Sequence, residues 1–231
     1  ATISVPLVGT AGMTKLGGGT LVVSSSVAPS GTVQVQQGTL KYTNASAIAS
    51  RSLVPSAGGT VALGPGALQP TVAGLAANAG GLTDVNNGKM TVAAGLSAAD
   101  LFTALVAGRG DGSWTGTAGI TSSVAAADLA QSTLRAVGWI DNGDGSVTFA
   151  YAAPGDTNLD WVVDILDVSN VVASGRYGTA DPATWAEGDF NYDGVVDIQD
   201  IADFSATGLY GGPSYNGSGS AGGVSAVPEP A

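Results

Sequence analysis

The chain has 231 residues, of which 11% are charged and 36 are Gly, and its formal net charge at pH 7 is −11. Cys and His are both absent, which excludes disulfides, thiol nucleophiles, thiolate metal sites and imidazole bases or ligands. The acidic balance argues against nucleic acid as a partner, and no apolar segment is long enough to span a bilayer. Any bound metal is therefore expected to be a hard cation with oxygen ligands, calcium or magnesium.

Residues 1–95 contain a loose repeat in which glycine precedes a short strand of β-branched residues and leucine. Short strands at a near-constant period, separated by glycine-rich turns, favour a parallel β-solenoid with one rung per repeat. An ordinary sandwich of short strands is the alternative that this pattern leaves open. The units are GGGTLVV (17–23), QGTLKY (37–42), GGTVAL (58–63) and NGKMTV (87–92).

Residues 96–152 are expected to form a mixed helix and strand cap on the solenoid. Ser97 and Asp100 have the spacing of a capping box at the start of an amphipathic segment. Asn-Gly and Asp-Gly pairs near residue 143 are turn signals. The patterns predict helices over 97–107 and 122–136, and a hairpin or long turn entering a strand over 139–151.

Two acidic segments match each other residue by residue: GDTNLDWVVDILD at 155–167 and GDFNYDGVVDIQD at 188–200. We call residues 156–167 loop one and residues 189–200 loop two. Each has Asp or Asn at positions 1, 3, 5, 9 and 12, the oxygen-bearing positions of an EF-hand calcium loop, in which position 7 adds a backbone carbonyl. The predicted ligands are Asp156, Asn158, Asp160, Val162, Asp164 and Asp167 in loop one, and Asp189, Asn191, Asp193, Val195, Asp197 and Asp200 in loop two.

The charge around these loops supports a bound cation. Residues 156–203 hold eleven acidic side chains against one basic residue, Arg176, which gives this segment a net charge of −10. Acid packed this densely repels itself, and bound cations relieve the repulsion. We therefore predict two Ca²⁺ ions, one in each loop. The alternative is a pair of acidic turns that only cap the two helices that follow.

Position 6 of such a loop makes a sharp turn that favours glycine. Gly194 fits this position in loop two, but Trp161 occupies it in loop one. A left-handed non-glycine residue costs about 1–2 kcal/mol, which ligation by several carboxylates can offset. We expect loop one to bind calcium, more weakly than loop two because of Trp161, and we expect the indole to pack on the neighbouring domain.

Paired loops, each followed by one helix with none before it, resemble the dockerin type I domain over about residues 156–210. The resemblance implies a small all-α calcium-binding domain, which we place at 153–211, and calcium ligation by the side chains named above. Cellulosomal dockerins recognise cohesin through a Ser/Thr pair at positions 10 and 11. This chain instead has Ile165-Leu166 and Ile198-Gln199 there.

The units GTAGMTKLGGGTLVVSS and VQQGTLKY resemble autotransporter-associated β-strand repeats, which implies a parallel β-helix in a large secreted protein. GRGDGSWTGTAGITSS, followed by the two acidic loops, resembles the C-terminal part of large surface proteins of planctomycetes and related bacteria. Residues 212–231 are expected to be a flexible Gly/Ser tail, and its last residues, VPEPA, match the start of a PEP-CTERM sorting signal. The resemblances together imply an extracellular or cell-surface location.

Three functions are compatible with these features. The leading hypothesis is a structural or adhesive surface protein, a β-solenoid with a calcium-stabilised cap. Its open N-terminal rung is expected either to stack on earlier rungs of a longer precursor or, if Ala1 is the mature N-terminus, to make head-to-tail contacts through residues 1–25 that give fibres. The second is a calcium-dependent module that docks on a cohesin-like partner. The third, a secreted polysaccharide-degrading enzyme, needs two converging carboxylates, and we expect no catalytic pair among the candidate acids outside the calcium loops, which are Asp84, Asp100, Asp111, Asp128, Asp141 and Asp144.

Overall fold

The computed structural model describes residues 1–5, 9, 11–25 and 31–217. These residues form a mostly β structure, in which parallel strands build a β-solenoid of about four turns. The predicted solenoid is thus confirmed. The predicted PEP-CTERM-like end at 227–231 lies outside the described residues.

Two parallel sheets form the walls of the solenoid. The first sheet stacks six strands in this order: β1 (Thr2–Ile3), β3 (Thr20–Val23), β5 (Gly38–Tyr42), β7 (Gly59–Leu63), β10 (Leu82–Asp84) and β12 (Gly119–Thr121). The second stacks four: β2 (Met13–Lys15), β4 (Val33–Val35), β6 (Ser52–Pro55) and β9 (Gly74–Leu75).

Equivalent side chains of successive rungs lie directly above one another. Leu40 pairs in register with Val61, Val61 with Thr83, and Thr83 with Ile120, and all four are completely buried. This ladder is the core of the solenoid, since burial of such side chains is its main source of stability. Gly59 marks a corner where the rungs approach closely, because a Cβ added there would lie 1.9 Å from the Val35 carbonyl oxygen.

The first three repeat units form β3, β5 and β7 as predicted, but the fourth does not continue their sheet. Its strand, β11 (Lys89–Val92), belongs to a third sheet, and β10 takes the expected place beside β7. β11 pairs in parallel with one strand and antiparallel with another, so the solenoid pattern ends at this sheet. The other strands of the third sheet are β8 (Thr71–Val72), β13 (Ala136–Asp141) and β14 (Val147–Ala152).

Strands β13 and β14 form an antiparallel hairpin, which confirms the hairpin predicted near 139–151. The helices are α1 (Ala45–Ile48), α2 (Ala98–Arg109), α3 (Ser123–Leu129), α4 (Ile165–Ser174) and α5 (Ile198–Thr207), with a 3₁₀ helix at Trp185–Glu187.

Helix α2 confirms the first predicted helix, and the Ser97 hydroxyl accepts a hydrogen bond from the Asp100 backbone N–H at its start. The second predicted helix, 122–136, is too long: α3 ends at Leu129, and Ser132 has a φ of 61° in the turn that follows. That backbone conformation cannot continue a right-handed helix.

Helices α4 and α5 do not form a clearly separate all-α domain, contrary to the dockerin-based expectation. Leu159, Trp185 and Phe190 belong to the same buried apolar cluster as the solenoid residues. Residues 212–217 also differ from the predicted flexible tail: Tyr215 and Asn216 pack on the rest of the protein, and Asn216 is only 8% exposed. In the described part of the chain, no helix has the length and apolarity needed to cross a bilayer.

Candidate metal centre

The carboxylate at position 1 of each loop holds the loop closed through backbone hydrogen bonds. In loop one, Asp156 Oδ1 accepts from the N–H of Asp160 (3.2 Å), and Oδ2 accepts from the N–H of Trp161 (3.0 Å). Loop two repeats both bonds, with Asp189 accepting from the N–H groups of Asp193 (3.1 Å) and Gly194 (3.1 Å).

The carboxylate at position 12 closes the other end of the loop. Asp167 accepts hydrogen bonds from the backbone N–H groups of Thr157 (2.8 Å) and Asp164 (2.9 Å). Asp164, at position 9, is the N-cap of α4, so positions 9 and 12 form a capping box at the start of this helix. Loop two repeats this arrangement, with Asp200 accepting from Phe190 (2.8 Å) and Asp197 (2.9 Å), and with Asp197 as the N-cap of α5.

The residues at positions 3 and 5 are more exposed than those at positions 1 and 12 in both loops. Asn158 Oδ1 accepts from the N–H of Asp160 at 2.9 Å, and Asp160 Oδ1 accepts from the N–H of Val162, also at 2.9 Å. Loop two makes the same two bonds, from Asp193 to Asn191 and from Val195 to Asp193. The predicted ligands of each loop are therefore joined in one hydrogen-bonded turn, and the two turns have the same pattern.

Both loops have left-handed backbone at positions 4 and 6. Trp161 has a φ of 69° and Gly194 a φ of 92° at position 6, so the predicted left-handed conformation of Trp161 is confirmed. Leu159 and Tyr192, at position 4, have φ values of 58° and 65°. Sequence reasoning missed position 4, because neither Leu nor Tyr signals a left-handed residue.

Burial and nearby negative charge raise the pKa of the position 1 carboxylates. Burial, together with the nearby Asp167 charge, raises the pKa of Asp156 to about 7, against the hydrogen bond from the Tyr215 hydroxyl, which lowers it. Burial and then the negative charge of Asp200 raise the pKa of Asp189 to about 6. Negative charge is thus costly at these two positions unless a cation accompanies it.

Within the described residues, no group of three or more Asp, Glu, His or Cys side chains has an arrangement that could hold a metal ion. The loop carboxylates are instead directed at backbone N–H groups. An EF-hand loop draws part of its ligand set from amide and backbone oxygens, and Asn158, Asn191, Val162 and Val195 would supply those here. The chemistry of the donor set fits a hard cation, so the calcium interpretation rests on the donor set and on the duplicated pattern.

Aromatic side chains anchor both loops to the β structure. The indole N–H of Trp161 donates to the carbonyl of Tyr151 in β14 (2.9 Å), which confirms that the indole packs on the neighbouring part of the chain. The indole N–H of the fully buried Trp185 donates to the carbonyl of Asp156 (2.7 Å). In loop two, the Tyr192 hydroxyl donates to the carbonyl of Val137 in β13.

A lysine from the third sheet also reaches loop one. Lys89 Nζ donates to the carbonyl of Leu159 (2.9 Å) and lies 5.1 Å from the centre of the Trp161 ring, within the range of a cation–π contact. Sequence reasoning did not single out Lys89, because its partner lies far along the chain.

The first residues of α4 and α5 expose apolar side chains at equivalent positions. Ile165, Leu166 and Ile198 are 60%, 59% and 66% exposed. An apolar groove of about 430 Å³ lies beside them, lined in part by Val168, Val172, Ile201 and Phe204. Apolar side chains thus replace the hydroxyl pair of cellulosomal dockerins at positions 10 and 11 of loop one and at position 10 of loop two.

The six candidate catalytic acids outside the loops accept hydrogen bonds from hydroxyl and backbone N–H groups. Asp84 accepts from the N–H groups of Asn86 and Ser123, and Asp128 accepts from the Tyr151 hydroxyl at 2.6 Å. The remaining four accept bonds from residues two or three positions away: Asp100 with Ser97, Asp111 with Ser113, Asp141 with Gly143, and Asp144 with Ser146.

In comparisons with known proteins, no family model, no curated protein and no solved structure matches this chain. The resemblances to dockerins and to autotransporter-associated repeats therefore rest on the two loops and the repeat units alone.

Proposed function

We propose that this chain is an extracellular structural or adhesive surface protein, in which a β-solenoid is stabilised at one end by two Ca²⁺ ions. The observation that carries the proposal is the duplication: two loops with the same donor residues, the same hydrogen bonds and the same left-handed positions. Capping two helices does not require matched oxygens at positions 3 and 5. A pair of cation loops does.

Each ion would be held by the side chains at positions 1, 3, 5, 9 and 12 and by the carbonyl at position 7. A bound Ca²⁺ supplies charge neutralisation for carboxylates that burial and mutual repulsion now disfavour. Because the loops share a core with the solenoid, this neutralisation would stabilise the whole C-terminal end of the solenoid.

Calorimetric titration of chelator-treated protein with Ca²⁺ tests the proposal. We expect two ions per chain in the wild type and one in each of Asp160→Ala and Asp193→Ala, which remove an exposed carboxylate from one loop. Asp181→Ala is the matched control, because Asp181 is an exposed acid between the loops that pairs with Arg176 at 3.6 Å. A wild type that binds no calcium would refute the proposal.

Assembly is the second part of the proposal. Among the described residues, strands β1 and β2 each lie at one edge of a solenoid sheet, the edges opposite β12 and β9. An edge strand offers unpaired N–H and C=O groups to another copy of this 231-residue chain. Head-to-tail contact through residues 1–25 would propagate into fibres. Sedimentation velocity over a concentration series should show growing species with calcium, and fewer of them for Thr2→Pro. A monomer at every concentration would contradict this part.

A second candidate function is a calcium-dependent module that docks on a cohesin-like partner, favoured by the exposed apolar pair at the start of α4 and its counterpart Ile198 in α5. Titration with purified cohesin domains, with and without calcium, separates the two functions. Calcium-dependent binding that the Ile165→Ser/Ile198→Ser double variant loses would support docking. Its absence across cohesin types would leave the structural function.

A further inference from the structure

The segment after α5, residues 209–217, which we call the C-terminal strap, lies along loop one. The backbone N–H of Gly211 donates to the carbonyl of Val163, and that of Tyr215 donates to the carbonyl of Trp161, both at 2.9 Å. The strap thereby binds the two carbonyls on either side of Val162, whose own carbonyl is the predicted ligand at position 7.

Loop two has an equivalent brace. The N–H groups of Gly178 and Ala183 donate to the carbonyls of Val196 and Gly194, again at 2.9 Å. The segment after α4 therefore braces loop two, as the segment after α5 braces loop one. Each repeat consists of a loop, a helix and a bracing segment, and each bracing segment serves the loop of the other repeat.

Two features distinguish the C-terminal strap from its counterpart. The Tyr215 hydroxyl donates a 2.5 Å hydrogen bond to Asp156 Oδ2, the position 1 carboxylate of loop one, and it accepts one from the N–H of Ala153 at 3.0 Å. Among the described residues, Asp189 of loop two accepts hydrogen bonds from backbone N–H groups alone. Tyr215 is thus a positioning group that loop two lacks.

The strap also connects loop one to the solenoid side of the molecule. Asn216 Nδ2 donates to the carbonyl of Asn87 (2.7 Å), and Asn87 Nδ2 donates to Asn216 Oδ1 (3.1 Å). The guanidinium of Arg135 lies 5.0 Å from the centre of the Tyr215 ring. Closure of the strap therefore ties together loop one, the β13 end of the third sheet and the segment before β11.

We propose that the C-terminal strap is a calcium-linked latch, in which Tyr215 orients Asp156 for the ion of loop one and ion binding holds the strap closed on the solenoid. The inference rests on the proposed function. Groups that hydrogen-bond to a metal ligand fix its orientation, and their loss typically costs about 10–100-fold in metal affinity. The coupling free energy between two binding events is the same in both directions. If strap closure strengthens calcium binding, calcium binding therefore stabilises the closed strap by the same free energy.

The first test measures calcium affinity at loop one alone. In an Asp193→Ala background, which silences loop two, Tyr215→Phe should weaken calcium binding about tenfold or more. Tyr210→Phe is the matched control, because Tyr210 belongs to the same strap and is 54% exposed; its affinity should equal that of the background. Equal affinities for the two tyrosine variants would overturn the proposal, while the proposed two-ion function would survive.

The second test needs no variant and guards against misfolding of Tyr215→Phe. Amide hydrogen exchange of peptides covering residues 209–217 should slow on addition of calcium, because Gly211 and Tyr215 donate their N–H groups to loop one. Calcium-independent exchange in a wild type that binds two ions would overturn the latch alone. A wild type that binds no calcium would overturn both the latch and the proposed function.

Discussion

The indole of Trp161 and the backbone carbonyl of Tyr151 are joined by a 2.9 Å hydrogen bond that connects loop one to strand β14. Trp161 occupies a left-handed position where glycine is the favoured residue, and its side chain is only 7% exposed. Trp161 therefore costs local backbone strain, but its buried side chain anchors the acidic loop to the β structure.

The first prediction compares the backbone strain at Trp161 with the stability that its buried indole provides. Trp161→Gly should relieve about 1–2 kcal/mol of backbone strain but lose a buried aromatic side chain, a change that typically costs about 3–5 kcal/mol. We expect a net loss of about 2 kcal/mol in the free energy of unfolding, measured by urea denaturation with calcium present. Trp161→Phe keeps an aromatic ring without the N–H donor, so its free energy of unfolding should lie between those of the wild type and Trp161→Gly. A glycine variant at least as stable as the wild type would show that the indole is no anchor.

The second prediction concerns the junction between the acidic loops and β13. A Cβ added at Gly138 would lie 2.5 Å from Nε1 of Trp185 and 2.7 Å from Cδ2 of Leu159. Gly138→Ala should therefore force the buried Trp185 to shift and should destabilise the protein by about 1–3 kcal/mol. Thermal unfolding measures the loss, and limited proteolysis should cut first within 156–217.

Gly19→Ala is the control for this experiment, because a Cβ at Gly19 would have no neighbour within 4 Å. Its unfolding should resemble that of the wild type. If Gly138→Ala unfolds like Gly19→Ala, the acidic loops are not packed against β13 as described.

The third prediction concerns Thr83, where a substitution should stabilise the protein rather than destabilise it. Thr83 is completely buried in the solenoid ladder between Val61 and Ile120, and its hydroxyl has no hydrogen-bond partner among the described residues. Since an unsatisfied buried hydroxyl costs about 1–3 kcal/mol, Thr83→Val should raise the free energy of unfolding by about 1 kcal/mol in urea denaturation. Destabilisation by this isosteric change would mean that the hydroxyl is satisfied in solution.

The fourth prediction concerns pH and metal removal. Burial raises the pKa of Asp156 to about 7 and that of Asp189 to about 6, whereas unfolded aspartates titrate near about 4. Between about pH 4 and pH 7 the folded, metal-free protein therefore binds more protons than the unfolded chain, so its stability falls as pH rises. With chelator present, the melting temperature should be higher at pH 5 than at pH 7.5.

Saturating calcium should remove this decline, because the bound ion stabilises the charged carboxylates of the folded state and adds its binding free energy. Asp156→Asn should weaken the dependence of the melting temperature on pH in the metal-free protein. A metal-free melting temperature that rises from pH 5 to pH 7.5, or one that calcium leaves unchanged at pH 7.5, would contradict the assignment.

The sequence predicted those elements whose signals are local. Glycine followed by Thr, Leu and Val was sufficient to predict strands β3, β5 and β7, and the Ser97 cap was sufficient to predict the start of helix α2. The strands of the second sheet have only two to four residues, such as Gly74–Leu75, and carry too little periodicity to be recognised. Lys89–Val92 repeats the local pattern, but it pairs with β14 through tertiary contacts that a local sequence pattern does not predict.

The same distinction holds for the candidate site. The spacing of Asp and Asn predicted which residues form the two loops, because ligand positions in such loops follow local geometry. Tyr215 and Lys89 were missed because they reach loop one from distant parts of the chain. Tyr215 also lies in a Gly/Ser/Pro-rich stretch, a composition that usually indicates a flexible linker.

Crystals grown with calcium test the central claim most directly, by anomalous diffraction at a wavelength where calcium scatters anomalously. We expect two peaks, one within about 2.3–2.6 Å of the Asp156 and Asp167 carboxylates and one equally close to those of Asp189 and Asp200. In Asp160→Ala crystals, we expect the first peak alone to disappear. An anomalous map with no peak in either loop, from crystals in which both loops keep their hydrogen bonds to backbone N–H groups, would contradict the central claim.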